Sequence, residues 1–196
     1  MWDNILKPTL VLFAVCIVIS GSLAVVNDIT KDIIEQRTNE EKDELRFEVM
    51  NDADSFSEVY GEGVPDSVKD LPDSVKAIFE GYKGQELAGY VIDVVVKGYG
   101  GDISMTVGVN KNGQVIGVKT GDNNETPGLG SKATEPEFIS QFNDVGVEDN
   151  LTLVKQGKKA DNEIQAISGA TVSSRAVTDG VQAALTAARI MIKGER

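Results

Sequence analysis

The chain has 196 residues, 31 acidic against 19 basic, with no histidine and a single cysteine. Without His there is no Ser/His/Asp or Cys/His triad, no His-ligated zinc and no imidazole proton shuttle. One Cys excludes an internal disulfide, a Cys₄ iron–sulfur site and a Cys-x-x-Cys redox pair. A net charge of −12 argues against nucleic acid as a partner, because neutralising phosphates takes a basic surface. The chemistry of this chain therefore needs a borrowed cofactor or none.

The charge is unevenly placed. Residues 1–26 carry only Asp3 and Lys7, residues 27–80 carry 16 acids and 6 bases, and residues 81–196 carry 14 acids and 12 bases. The acidic middle reads as a solvated, partly helical face, with a docking surface for a basic partner as the sharper alternative.

Pro8 to Val26 is a run of 19 residues without a charge. At ~1.5 Å per residue it reaches roughly 28 Å, close to the ~30 Å hydrocarbon core of a bilayer, so it can span once. A buried helix of a soluble domain should have a polar face, yet only Thr9, Ser20, Gly21 and Ser22 interrupt this run. A cleaved signal peptide is the stronger rival, since Lys7 precedes the run and Ser22-Leu23-Ala24 has a small-x-small pattern. The positive charges before the span and the acidic stretch after it favour a cytoplasmic N-terminus and an extracytoplasmic remainder.

Residues 27 to about 52 lack Gly and Pro and are rich in helix formers, which predicts a helix continuing out of the membrane segment. Its apolar positions Ile29, Ile33, Ile34, Leu45 and Phe47 form a partial stripe. A stretch with Gly61, Gly63, Pro65 and Pro72 follows, with Pro-Asp-Ser-Val-Lys duplicated at 65–69 and 72–76, read as two turn-plus-helix starts. From Gly89 the texture becomes strand-like. Tyr90–Lys97 and Ile103–Val109 are β-rich, and the second alternates strictly, placing Ile103, Met105, Val107 and Val109 on one face. Asn112-Gly113 predicts a hairpin into Val115–Lys119.

Thr134-x-x-Glu137, with Pro136 in the first turn, predicts a capping box opening a short helix through Phe142. Leu151–Gln156 and Glu163–Ile167 read as strands, and Val177, Val181, Ala184, Leu185 and Ala188 fall at helical spacing near the end. The expected architecture is α+β, with a cytoplasmic N-terminus and transmembrane helix at 1–26, an acidic juxtamembrane helix and linker at 27–80, and the α+β domain at 81–196.

Three glycine-bearing motifs stand out. Lys97-Gly98-Tyr99-Gly100-Gly101 lies between two strands, where Gly supplies the freedom of a tight connection. Glu125-Thr126-Pro127-Gly128-Leu129-Gly130 holds a Pro-Gly turn; Leu129 offers an apolar contact to a flat ligand, and Gly128 and Gly130 permit close backbone approach. Ile167-Ser168-Gly169-Ala170-Thr171-Val172-Ser173-Ser174-Arg175 joins a strand to the last helix. There, free N–H groups and the helix dipole favour a phosphate, with Arg175 as a further charged contact. A plain Ser/Thr N-cap accounts for the same residues.

Taken in order, KGYGG, ETPGLG and SGAT resemble the signature elements of the FMN-binding subunits of respiratory ion pumps. The match is to the G subunit of the Rnf complex, with the C subunit of the sodium-translocating NADH:quinone reductase as the related alternative, and it covers residues 89 to 190 plus the membrane helix. This resemblance implies an extracytoplasmic FMN-binding domain behind one transmembrane helix. It implies FMN joined by a phosphoester to Thr171, with Ser168, Gly169, Ala170 and Ser174 around the phosphate and Glu125, Thr126, Gly128, Leu129, Gly130 and Tyr99 around the flavin.

It further implies electron transfer within a membrane complex coupling ferredoxin:NAD⁺ oxidoreduction to Na⁺ or H⁺ translocation, beside other membrane and flavin or iron–sulfur subunits. Attachment is made by a flavin transferase using FAD, so the chain needs no catalytic or metal-ligating residues of its own. Two positions depart from the family pattern: Gln165 stands where an acid is frequent, and Asn123 where His is frequent. A membrane-tethered flavin sensor or assembly module is the alternative of another class.

Overall fold

The structure, a computed structural model, describes residues 6–61 and 68–194. The chain divides into two units, Met1–Glu41 and Lys42–Arg196. Helix α1 (Lys7–Val49) begins in the first and ends in the second. Within α1 the stretch Thr9–Lys31 contains an 18-residue window with a mean hydropathy of 2.6, none of it buried, so it is long and apolar enough to cross a membrane. Hydroxyls in this helix donate back to its own carbonyls, Ser22 to Val18 O at 2.7 Å and Thr30 to Val26 O at 2.8 Å, which satisfies them without water.

The second unit is built on a five-stranded antiparallel meander of β1 (Ser55–Tyr60), β2 (Val75–Lys83), β3 (Glu86–Lys97), β4 (Asp102–Asn110) and β5 (Val115–Asn123), in that spatial order. The Asn112-Gly113 hairpin forms as expected between β4 and β5, with Gly113 at φ 82°. The segment after β5 is a 3₁₀ turn at Gly130–Thr134, a single helical turn α2 (Pro136–Ile139) and another 3₁₀ turn at Ser140–Phe142. A short parallel pair follows, β6 (Thr152–Val154) with β7 (Glu163–Gln165), and then α3 (Thr171–Lys193).

Helix α3 covers one face of the sheet. Its Val177, Val181, Ala184, Leu185 and Ala188 are buried against Ile92, Val94, Ile103, Met105, Val107 and Val109, the alternating face of β4 among them. The opposite face carries a smaller cluster in which Val49, Met50 and Ala53 pack on Phe79 and Val91. Both faces of the sheet are thus covered, the second by the end of α1.

Three expectations change. The proline repeat at 72–76 does not start a helix but leads into β2, whose first residue is Val75; the first copy, at 65–69, falls partly outside the described residues. Strand β1 and most of β2 lie in the stretch read as juxtamembrane helix and linker, so the sheet is larger than the sequence indicated. The capping box does not form: the Thr134 hydroxyl donates to Ser131 O at 2.8 Å, and Glu135 precedes α2 without a side-chain cap. Pro136 at the first helical position sets the entry angle unaided, and the preceding 3₁₀ turn has consumed the Thr134 hydroxyl.

Candidate functional site

The three glycine motifs, widely spaced in sequence, meet at the start of α3. The first is the β3–β4 turn: Lys97 and Asp102 are the last paired residues, and Gly98 N donates to Gly101 O at 2.8 Å. The second leaves β5 and turns back, with Leu129 N and Ser131 N both donating to Thr126 O. The third leaves β7, turns through Gly169 at φ 84°, and ends on Thr171, the first residue of α3.

Glu125 joins all three. The residue is 6% exposed. Oε1 accepts from Tyr99 N at 2.7 Å and Gly100 N at 3.1 Å, while Oε2 accepts from the Ser173 hydroxyl at 2.7 Å. Two glycines make room for it. A Cβ on Gly98 would lie 2.1 Å from Oε1, and one on Gly130 2.2 Å from Oε2. Gly130, expected to permit close approach of a ligand, and Gly98, expected only to serve a tight connection, thus both accommodate a buried acid.

Beside this junction opens a cavity of about 220 Å³. Tyr99, Leu129 and Val172 give it apolar walls, while Thr126, Gly169 and Thr171 stand at its polar side. At the start of α3 the N-cap is Ala170 and no side chain caps the helix, so its first N–H groups keep their need for acceptors. The neighbouring hydroxyls are committed: Ser173 to Glu125, Ser174 to Ala170 O, Thr178 to Ser174 O. The Thr171 hydroxyl is exposed at the cavity edge and has no partner among the described residues. A phosphate-bearing ligand with a flat aromatic part fits this set of groups: an uncapped helix start, a free hydroxyl and apolar walls.

Of the residues expected around such a ligand, Tyr99, Glu125, Thr126, Leu129, Gly130, Gly169, Ala170 and Thr171 all border this cavity. The other three do not. Ser174 is completely buried; its hydroxyl accepts from Ile167 N at 3.1 Å and donates to Ala170 O at 2.9 Å, closing the turn behind the cavity. Ser168 borders a neighbouring groove of about 470 Å³ together with Lys132, Lys158 and Gln165. Gly128, at φ 73°, sits at the exposed tip of its turn, where its N–H donates to the Ser131 hydroxyl. Arg175 is exposed and borders neither cavity.

Two wall residues escaped sequence reading. Val172 and Ser173 follow Thr171 directly, and helical spacing gave no signal for them, because neighbours one and two residues along a helix point to different faces. The backbone of Gln165 is engaged on both sides by the Gln141 side chain, whose amide donates to Gln165 O at 3.2 Å and accepts from Gln165 N at 2.8 Å.

Comparison with known proteins gives a consistent family. A family model described as an FMN-binding domain matches residues 98–186. The chain is 32% identical to the G subunit of the Na⁺-translocating ferredoxin:NAD⁺ oxidoreductase complex of Acetobacterium woodii, over 92% of this chain and 89% of that one. It is 34% identical to the G subunit of the proton-translocating ferredoxin:NAD⁺ oxidoreductase complex of Clostridium ljungdahlii, over 93% and 91%. Among solved structures, NqrC of Shewanella oneidensis aligns with 59% of this chain and 58% of that one, at 21% identity and a TM-score of 0.49.

Proposed function

The chain belongs to the family of G subunits of ion-translocating ferredoxin:NAD⁺ oxidoreductase complexes, and from that membership we propose that it is the anchored electron carrier of such a complex, with FMN held covalently through Thr171. It works as a subunit, beside the other subunits of the complex, and the one long apolar helix among the described residues suits a single-pass membrane protein. The relatives that match nearly the whole chain carry the G-subunit name, which favours this complex over the sodium-translocating NADH:quinone reductase.

One observation carries the assignment of the anchor. Thr171 presents an uncommitted hydroxyl from the first residue of α3, an uncapped helix start, at the point where all three motifs converge. In attachment, Thr171 Oγ1 forms the bond to phosphorus of the FMN half of FAD, the bridging P–O bond breaks, AMP departs, and the hydroxyl proton is released to solvent. A dedicated flavin transferase performs this step, and the chain supplies the acceptor.

Bound flavin supplies one- and two-electron redox chemistry that no side chain of this protein offers. The protein contributes the rest. Gly169 turns the chain so that the α3 start faces the cavity, the first-turn N–H groups and the helix dipole favour the phosphate, and Leu129, Val172 and Tyr99 keep water from the apolar side.

The test is intact mass and in-gel fluorescence of the full chain produced with a flavin transferase. Wild type and Thr171→Ser carry the mass of one FMN less water on the peptide containing residue 171, and Thr171→Ala carries none. A Thr171→Ala band as fluorescent as wild type refutes the anchor. For topology, we place residues 27–196 outside the cytoplasm, from the charge bias around the span; an impermeant protease added to intact cells or spheroplasts degrades that part, and its complete protection reverses the orientation.

A further inference from the structure

We propose that Glu125 is a positioning residue that holds the β3–β4 turn and the first turn of α3 in the single arrangement in which the Thr171 hydroxyl and the Tyr99 ring border one cavity. The proposal rests on Thr171 as the anchor and adds what aligns it. An acid buried to 6% exposure costs free energy unless its oxygens are bonded. The donors that bond Glu125 lie 25 and 26 residues before it and 48 residues after it. No salt bridge reaches it among the described residues.

Each bond does a separate task. The Tyr99 and Gly100 amides fix the turn that carries the Tyr99 ring, which is 73% exposed and has little else to hold it. The Ser173 hydroxyl belongs to the third residue of α3, two positions beyond Thr171, so its bond fixes the rotation of the helix start. The missing side chains of Gly98 and Gly130 leave room for the carboxylate between them, and a side chain at either would expel it. ETPGLG thereby serves through its first residue as the link between the other two motifs.

Glutamine is the informative substitution. Its carbonyl still accepts from both amides, and its NH₂ donates to Ser173 Oγ, which can accept. Alanine abolishes all three bonds. The experiment uses the full chain in detergent, produced with and without a flavin transferase, and reads two quantities: the fraction bearing the FMN mass, and hydrogen–deuterium exchange of peptides covering 97–101 and 169–175. Glu125→Ala should load flavin about tenfold more slowly, since misplacement of a reacting group by about 1 Å carries a penalty of that order or more. In the protein without flavin, both peptides should exchange faster together, with a peptide from β2 unchanged. Glu125→Gln should restore both readouts.

If Glu125→Ala does not fold, Ser173→Ala carries the test, because it keeps the two amide bonds; slower loading with faster exchange confined to 169–175 is then the expected result. Wild-type loading by Glu125→Ala, or by Ser173→Ala where that variant stands in, overturns the proposal. So does faster exchange in only one of the two peptides of Glu125→Ala. Thr171→Ala separates the two readings: it should lack flavin yet keep wild-type exchange, and flavin on Thr171→Ala would refute the anchor while leaving the exchange coupling to be judged alone.

Discussion

Arg46 donates through Nη2 to Asp93 Oδ2 at 2.8 Å, tying the last turn of α1 to the middle of β3. Asp93 takes a second bond from the Thr106 hydroxyl, directly opposite on β4, at 2.8 Å, and the guanidinium lies 3.7 Å from the centre of the Phe79 ring. Arg46 also pairs with Asp43 on its own helix. A charge pair this deep adds little over apolar packing, yet removing Asp93 leaves the buried guanidinium matched only by the exposed Asp43 carboxylate. Asp93→Ala is therefore expected to destabilise the 42–196 unit by about 3 kcal/mol, within the range for broken buried pairs. The double variant with Arg46→Met should recover a large part of it. Urea unfolding followed by circular dichroism measures both, and equal stability of wild type and Asp93→Ala would show that the pair holds nothing.

One row further along the same face, Gly108 and Gly117 pair across β4 and β5 beneath Val49. A Cβ on Gly108 would stand 2.7 Å from Val49 O, and one on Gly117 3.0 Å from Val49 Cα and O. Both obstacles are backbone and cannot rotate away. Gly108→Ala should cost about 1–3 kcal/mol by overpacking, and Gly117→Ala less. Gly146→Ala, whose nearest neighbour would be 3.4 Å away at the end of a side chain, serves as the control in the same unfolding measurement. Gly108→Ala matching this control would mean that α1 does not rest on the sheet there.

These two contacts also explain what the sequence could and could not reveal. The apolar alternation of β4 was legible because Ile103, Met105, Val107 and Val109 meet α3, whose own stripe was equally regular. The other face of β4 presents Ser104, Thr106 and Gly108, a composition that reads as solvent-facing, although α1 covers it through a glycine pair and a charge pair. Strand β2 was missed for a related reason. Its Ile78 is buried on the α3 side and its Phe79 on the α1 side, so no period of two survives, and the buried Glu80 interrupts the apolar run.

At the site, the motifs pointed to most of the residues that border the cavity, Thr171 among them, because short Gly-rich segments carry their constraints locally. The roles of Glu125 and Ser173 depend on a bond across 48 residues, and Ser174 carries the same side chain as Ser173 while facing inward to close the turn. Spacing alone does not distinguish two adjacent serines whose directions differ by one helical step.

Acid stability offers a separate check on the surface of the 42–196 unit. A hydrogen bond from Lys193, and then its charge with that of Arg189, holds the Glu148 carboxyl below its ordinary range; Lys111 does the same for Glu86, through its hydrogen bond first and its charge second. A carboxyl whose folded value is depressed binds protons more readily when unfolded. Its stabilising contribution is therefore present above the ordinary carboxylate range and disappears as the pH falls through that range to the folded value. Both groups are solvent-exposed, so the effect is small and screened by salt. Unfolding midpoints measured from neutral pH downward at low ionic strength should fall less steeply for the Glu86→Gln/Glu148→Gln double variant than for wild type. The two profiles should converge at high salt, and a wild-type profile no steeper than that of the double variant at low ionic strength would mean that these pairs do not hold in solution.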